Sequence, residues 1–269
     1  TGTTFRAGTC VALGADLDLS DLNSVRAFSH HVLSRKDARS LDVLVLNAGF
    51  AGGRHDGRPL LTAQGLELSL GAMHVGHALL AERLMPLLEA PSQSGRGTGR
   101  GSGPARVVTV ASEGANIAPP LHASFFEHPL GEGDLRGEAT NLHAPLGSPW
   151  RLINLIFDTV PNDLFGAFGG CGFSPTYTRA KYLNVLFARS LADRKMSRPP
   201  QGARRRVVST AVGPGFVRSS IFGQTGVGAA ALVGFEALAL VAMRSPFHGS
   251  LGVVRAALDP VVLHGSPVM

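Results

Sequence analysis

LDVLVLNAG, residues 41–49, decides the fold. Val43, Leu44, Val45 and Leu46 are apolar in succession, so a strand built from them has no water-facing side. It ends in Asn47-Ala48-Gly49, a turn signal. Two more runs share this character: RVVTVAS (106–112) and RRVVSTAVGPG (205–215). TCVALGADLDL (9–19) contains a further strand that runs out into a loop. Helical segments separate them. SDLNSVRAFSHHVLSR (20–35) is capped by Ser20 or Asp21 and carries an apolar stripe of Leu22, Val25, Phe28, Val32 and Leu33. GLELSLGAMHVGHALLAERLMPLLEA (65–90) reads as one long helix stopped by Pro91, and residues 177–194 as another. Two-faced apolar strands alternating with helices predict a doubly wound α/β domain, a parallel sheet of Rossmann type covered on both sides. Ligands of such folds sit beyond the carboxyl ends of the strands. Here those ends are Asp18, Asn47-Ala48-Gly49, Ser112 and Pro214-Gly215.

The composition agrees with a globular chain. Of 269 residues, 44% are hydrophobic and 16% charged, enough for a sizeable core. Cys10 and Cys171 make no disulfide framework. The net charge of +6 sits partly in GRGTGRGSGPAR (95–106) and in RRR (204–206). Neither interleaves aromatic residues with bases, so no nucleic-acid partner is expected. TGTTFRAGTC at the start lacks the apolar core of a secretory signal. VGAAALVGFEALALVAM (227–243) is marginal in length for a span and carries Glu236, so it reads as a buried or membrane-touching helix. These features fit an intracellular protein, cytoplasmic or membrane-associated, and leave the compartment and oligomeric state open. Residues 91–105 read as a flexible loop and 113–174 as an insertion. The insertion holds the apolar PWRLINLIFDTVPNDLFGAF (149–168), either an extra packed helix or a lid over an apolar substrate.

SPTYTRAK (174–181) carries the chemistry. Tyr177 and Lys181, four apart, project from one helical face. A free phenol titrates near 10, and a neighbouring ammonium favours the phenolate. Such a phenol can pass a proton to or from a carbonyl oxygen. The Ser112 hydroxyl can steady the same oxygen. Y-x-x-x-K alone occurs in many helices by chance, so its company decides.

That company resembles the short-chain dehydrogenase/reductase family over most of residues 9–265. LNAG (46–49) is similar to the family's N-N-A-G, with Leu46 for the first Asn. VVTVAS places Ser112 where the family keeps its catalytic serine, and YTRAK supplies Tyr177 and Lys181. PGFVRS (214–219) resembles P-G-x-x-x-T, with Ser219 for Thr. DLSDLNSVRAF (18–28) resembles the exit of the third strand. The resemblance implies an oxidoreductase using NADP(H), with NAD as the alternative. Tyr177 would be its acid/base, Lys181 its activator and ribose anchor, and Ser112 the polariser. The implied cofactor contacts are Asp18 and Leu19 at the adenine, Asn47, Ala48 and Gly49, Tyr177 and Lys181, and Pro214, Gly215, Val217 and Ser219 around the nicotinamide. No metal is implied. LTAQGLELSLGAMHVGHALL, YLNVLFARSLADR and SPFHGSLGVVRAALDP are similar to the retinol dehydrogenase-like branch, implying an apolar retinoid- or lipid-like substrate and peripheral membrane contact. Protochlorophyllide reductases rank second, on the long insertion and on GDLRG (133–137).

Two departures qualify this. The family's T-G-x-x-x-G-x-G turn brings backbone amides to the pyrophosphate. TGTTFRAG (1–8) stands too close to Asp18 to be that turn. The expectation is a single, N-terminally truncated domain over 1–269 that lacks the first two strands and first helix, with Val43–Leu46 at an apolar edge or residues 10–13 slid in beside it. The second departure is Met73 in AMHVGH, where the family has an Asn that relays protons from the lysine. His74 and His77 read as packing or surface residues. The competing readings are a non-catalytic remnant unable to hold a dinucleotide, and a binding protein using the apolar insertion. If the catalytic reading holds, Ser112, Tyr177 and Lys181 converge at the carboxyl end of the sheet.

Overall fold

The computed structural model describes residues 16–50, 54–55, 58–91, 103–118, 175–196, 205–215, 217 and 243–259. Helix α1 (Leu22–Ser34) is capped by the Asp21 carboxylate, which accepts from the Asn23 amide. Val25 is at the centre of its buried face. Ser29, one turn on, is buried too and returns its hydroxyl to the Val25 carbonyl at 2.7 Å. Leu33, expected on the apolar stripe, lies at the margin of that face and is exposed.

Strand β1 (Val43–Leu46) is followed by a short antiparallel pair, β2 (Arg54–His55) and β3 (Arg58–Pro59), that the sequence did not announce. Strand β4 (Ala105–Val110) pairs in parallel with β1 on one side and with β5 (Val207–Val212) on the other, in the order β1-β4-β5. Strand β1 covers its apolar run, and β4 stops at Val110, two residues short of Ser112. Ser112 lies past the end of β4 and caps a 3₁₀ turn, Glu113–Ile117.

The long helix before β4 comes in three parts: α2 (Leu68–Leu70), a π turn (Gly71–Val75) and α3 (Gly76–Glu89). The long helix expected there is therefore present from Leu68 to Glu89, with one widened turn inside it. In the π turn the Gly76 amide reaches back to the Gly71 carbonyl, one residue further than in an α-helix. Gly76 is needed where α3 begins, because a Cβ there would stand 2.5 Å from the Leu19 carbonyl oxygen. Helix α4 (Pro175–Met196) carries the Tyr177 face, and α5 (Pro246–Leu258) is capped by Ser245.

Strand alternation explains how the sheet is covered. Ala105 and Val107 point into the main core with Val25 of α1, Leu80, Leu84 and Leu88 of α3, and Leu191 of α4. Val108 points the other way and packs with Val212 and Ala256 of α5. The doubly wound parallel sheet is thus present, with helices on both faces. Among the described residues β1 is an edge strand, and Val45 is 41% exposed, so its two-faced apolar run is not matched by two-faced burial. The strand expected within 9–19 lies, ahead of Asp16, outside the described residues. So do nearly all of the 91–105 loop, residues 119–174 of the insertion, and all of 227–243 but its last residue. Among the described residues, no helix is long and apolar enough to cross a membrane.

Candidate active site

Strand β4 delivers Ser112 to the mouth of the site. Its Oγ accepts from the Gly114 amide at 3.2 Å, which fixes the rotamer. Across from it, the first turn of α4 places Tyr177 with its hydroxyl hydrogen-bonded to Ser112. Gly114 leaves room for this pairing, since a Cβ there would lie 3.5 Å from Ser112 Oγ and 3.7 Å from Tyr177 Cε1. One turn deeper, Lys181 is buried, and its Nζ lies 5.8 Å from the centre of the Tyr177 ring. Nζ donates to the Val110 carbonyl at 3.0 Å, at the last residue of β4.

Ser112, Tyr177 and Lys181 are therefore brought together beyond the carboxyl end of β4, but their electrostatics differ from the expectation. Burial pushes the Tyr177 phenol above its ordinary value, and the Ser112 hydrogen bond opposes that only in part. Lys181 does not hold the phenol down, because its ammonium sits over the ring and is spent on the Val110 carbonyl. Burial in turn pulls Lys181 down to about 8. Both groups are biased toward their neutral forms by the same cause, a dry surrounding.

The remaining predicted positions fall into three groups. Asn47, Ala48 and Gly49 follow β1 and are exposed. Gly49 opens the approach to the lysine: a Cβ there would stand 3.3 Å from Lys181 Nζ and 3.5 Å from Met73 Sδ. Pro214 and Gly215 follow β5, with Gly215 at φ 76° in the left-handed region. Val217 bridges in parallel to Arg244, whose side chain lies against Gly215. Ser219 is outside the described residues. Asp18 and Leu19 stand apart from the hydroxyl–lysine cluster, at the entry to α1. The Asp18 carboxylate accepts from the Ser20 amide at 2.8 Å and hydroxyl at 2.7 Å, and the Leu19 carbonyl packs on Gly76.

Behind Lys181 is a polar network that the sequence reading missed. Met73 is buried, and its backbone carbonyl accepts from Asn184 Nδ2 at 3.0 Å and from His77 Nδ1 at 3.0 Å. Asn184 Oδ1 in turn meets His74 Nδ1 at 3.0 Å. His74 and His77 are thus packing residues, as expected, with His74 edge-on to Phe187 and His77 buried, but both also carry hydrogen bonds. Burial holds His74 low and His77 at about 4, the latter helped by the nearby charge of Lys181. The signal for Asn184 was its spacing: Tyr177, Lys181 and Asn184 at i, i+4 and i+7 share one face of α4.

The close approach of Gly49 to Lys181, the left-handed Gly215 turn and the converging hydroxyls fit the nicotinamide end of a dinucleotide. No Gly-rich phosphate turn is found among the described residues. No protein-family model matches the chain. Human retinol dehydrogenase 12 is 31% identical over 206 residues, 76% of this chain and 45% of that protein. Mouse retinol dehydrogenase 14 is 25% identical over 247 residues, 92% of this chain and 55% of that protein. The Avena sativa protochlorophyllide reductase is 37% identical over 140 residues, 49% of this chain and 38% of that protein. The chain belongs to the short-chain dehydrogenase/reductase family, in its retinol dehydrogenase-like branch. A solved short-chain dehydrogenase/reductase fold, the Pseudomonas aeruginosa RhlG/NADP active-site complex, superposes with a TM-score of 0.50 at 16% identity, covering 89% of this chain and 68% of that one. At that identity the likeness bears on fold alone. The chain spans about half the length of the two retinol dehydrogenases.

Proposed function

We propose that this short-chain dehydrogenase/reductase chain carries the catalytic half of an NADP(H)-dependent oxidoreductase that interconverts a carbonyl and an alcohol on an apolar, retinoid- or lipid-like substrate. The observation that carries the reading is the Ser112–Tyr177 hydroxyl pair at the carboxyl end of β4, backed by buried Lys181. Ser112 holds the substrate oxygen in place. Tyr177, kept neutral by burial, is set to donate the proton to that oxygen in reduction, and in oxidation its phenolate would take the proton. Lys181, at about 8, lies close enough to neutrality to restore the phenol's proton, and beside Gly49 it would hold a ribose hydroxyl. Asn47, Ala48, Gly49, Pro214, Gly215, Val217 and Ser219 would bound the nicotinamide end, and Asp18 and Leu19 the adenine end. When bound, the nicotinamide supplies or accepts the hydride.

NADP(H) is preferred over NAD on the resemblance to NADP-using relatives, and the apolar substrate on the branch. Peripheral contact with a membrane draws support from α5, where Phe247, Leu251, Val254 and Leu258 form an exposed apolar row at helical spacing. The second reading, a remnant that holds no dinucleotide, is favoured by one observation: Lys181 is bonded to Val110 rather than poised on the phenol. Titrating the chain with NADPH and NADH, followed by assay against apolar aldehydes, separates the two. Binding of NADPH in preference to NADH, with aldehyde-dependent NADPH consumption, is the expected result. Absence of binding to either dinucleotide would overturn the catalytic reading in favour of the remnant.

A further inference from the structure

We propose that Asn184 is a positioning residue for Lys181, holding the Met73 carbonyl so that the flank of the ammonium facing the π turn meets a thioether instead of a hydrogen-bond acceptor. The inference rests on the reading of Lys181 as the residue that serves Tyr177.

The chemistry of the donors fixes the network. A carbonyl oxygen only accepts, so Asn184 must turn its NH₂ to Met73, and His77 must carry its proton on Nδ1. Asn184 Oδ1 then faces His74, whose Nδ1 must also carry the proton. A carbonyl has two lone pairs, and both side chains draw on those of Met73. Met73 lies within the π turn, whose wider ring departs from the regular α-helical spacing. With its backbone pinned from α3 and α4 alike, Met73 packs its side chain with Tyr177 and Ala180. Met73 Sδ and Lys181 Nζ flank the same point in front of Gly49. Sulfur in a thioether is at best a weak acceptor.

The charged and titratable groups around Lys181 leave this arrangement in control. From its own helix comes Tyr177, whose ring lies beneath the ammonium. From the π turn and α3 come His74 and His77, both held neutral by burial at ordinary pH. Glu67 at the start of α2 is occupied in capping the Leu70 amide at 2.9 Å. Glu113 of the 3₁₀ turn lies against Gly213 and accepts from Asn116 at 3.3 Å. No carboxylate among these faces Nζ with an ion pair.

Lysine titration tests this without any need for turnover. The chain has three lysines, Lys36, Lys181 and Lys195, so ¹³C-labelled lysine gives few signals in the full chain. Lys181 is expected to titrate near 8 in the parent. Asn184→Ala frees a lone pair of the Met73 carbonyl and opens room for water beside it. Lys181 should then titrate about one pH unit higher or more. Asn184→Ser should act in the same direction and serves if the alanine variant does not fold. Leu191→Ala, a cavity elsewhere on α4, should lower Tm and leave the Lys181 midpoint in place. An Asn184 variant that lowers Tm but leaves Lys181 titrating as in the parent overturns the proposal, as does an equal shift in Leu191→Ala. A shifted Lys181 in a chain that binds no dinucleotide would support the positioning role while defeating the oxidoreductase reading.

Discussion

The site has two halves, and they are built differently. In the hydroxyl half, Ser112 and Tyr177 come from a strand end and a first helical turn, are joined by one hydrogen bond, and are steadied by a single backbone amide from Gly114. In the ammonium half, Lys181 lies one turn deeper among Met73, Asn184, His74 and His77, tied by several hydrogen bonds of about 3.0 Å. In the first half Ser112 is half-buried at the end of β4, although Tyr177 beside it is buried. The second is deeply buried, and its effect is to depress a charge. The contrast shows that Y-x-x-x-K alone does not make an activated phenol. The lysine's partner in this state is a backbone carbonyl, and burial moves the phenol away from ionisation.

The largest effect expected from breaking the ammonium half is on stability against pH. Lys181 is near 8 when folded and near 10.5 when unfolded, so the unfolded chain binds the extra proton between those values. Stability should rise with pH across that window and be lower by about 3 kcal/mol below it. Lys181→Met should abolish that slope in urea unfolding measured from pH 7.5 to 10.5 and raise stability at neutral pH. The same variant should lose turnover, which separates the cost of the buried charge from its use.

The next effect lies at acid pH. His77 falls from 6.5 to about 4 on folding, so the unfolded chain takes up a proton that the folded chain refuses. Stability should fall as pH drops from 6.5 through 4, by up to about 3 kcal/mol. His77→Phe should flatten that limb while costing about 1 kcal/mol at neutral pH for the lost bond to Met73. An acid limb unchanged in His77→Phe would place its cause elsewhere.

The smallest effect probes the hydroxyl half. Ser112→Ala removes the one contact that opposes burial at Tyr177, so the phenol should titrate higher still. With Tyr177 and Tyr182 the only tyrosines, phenolate absorbance can follow it. The stability cost should be about 1 kcal/mol or less.

The sheet and the hydroxyl half were legible because their signals are local. VLVL, RVVTVAS and VVSTAVGPG advertise strands by unbroken apolar runs, and Ser112, Tyr177 and Lys181 follow from their places at strand and helix ends. Strand burial was less legible. Val45 reads like Val107, yet one is exposed at an edge and the other sits in the core, because pairing partners are set by the whole sheet. The ammonium half was hidden for a similar reason. His74 and Asn184 are 110 residues apart, and their meeting depends on a π turn that no local pattern in GAMHV announces. Met73 was read by its side chain, whereas its backbone carbonyl is the group the network uses.

The claim that the hydroxyl half does the chemistry is tested most directly by NADPH consumption with an apolar aldehyde, comparing the chain with Tyr177→Phe. Among the described residues no Gly-rich turn is placed for the pyrophosphate, and charge-assisted contacts of that kind are worth about 1.5–3 kcal/mol each. Turnover by these 269 residues should therefore be slow, below about 1 s⁻¹. In Tyr177→Phe it should fall a further ~10²-fold or more, with the melting temperature little changed. Equal turnover in the two proteins would contradict the account.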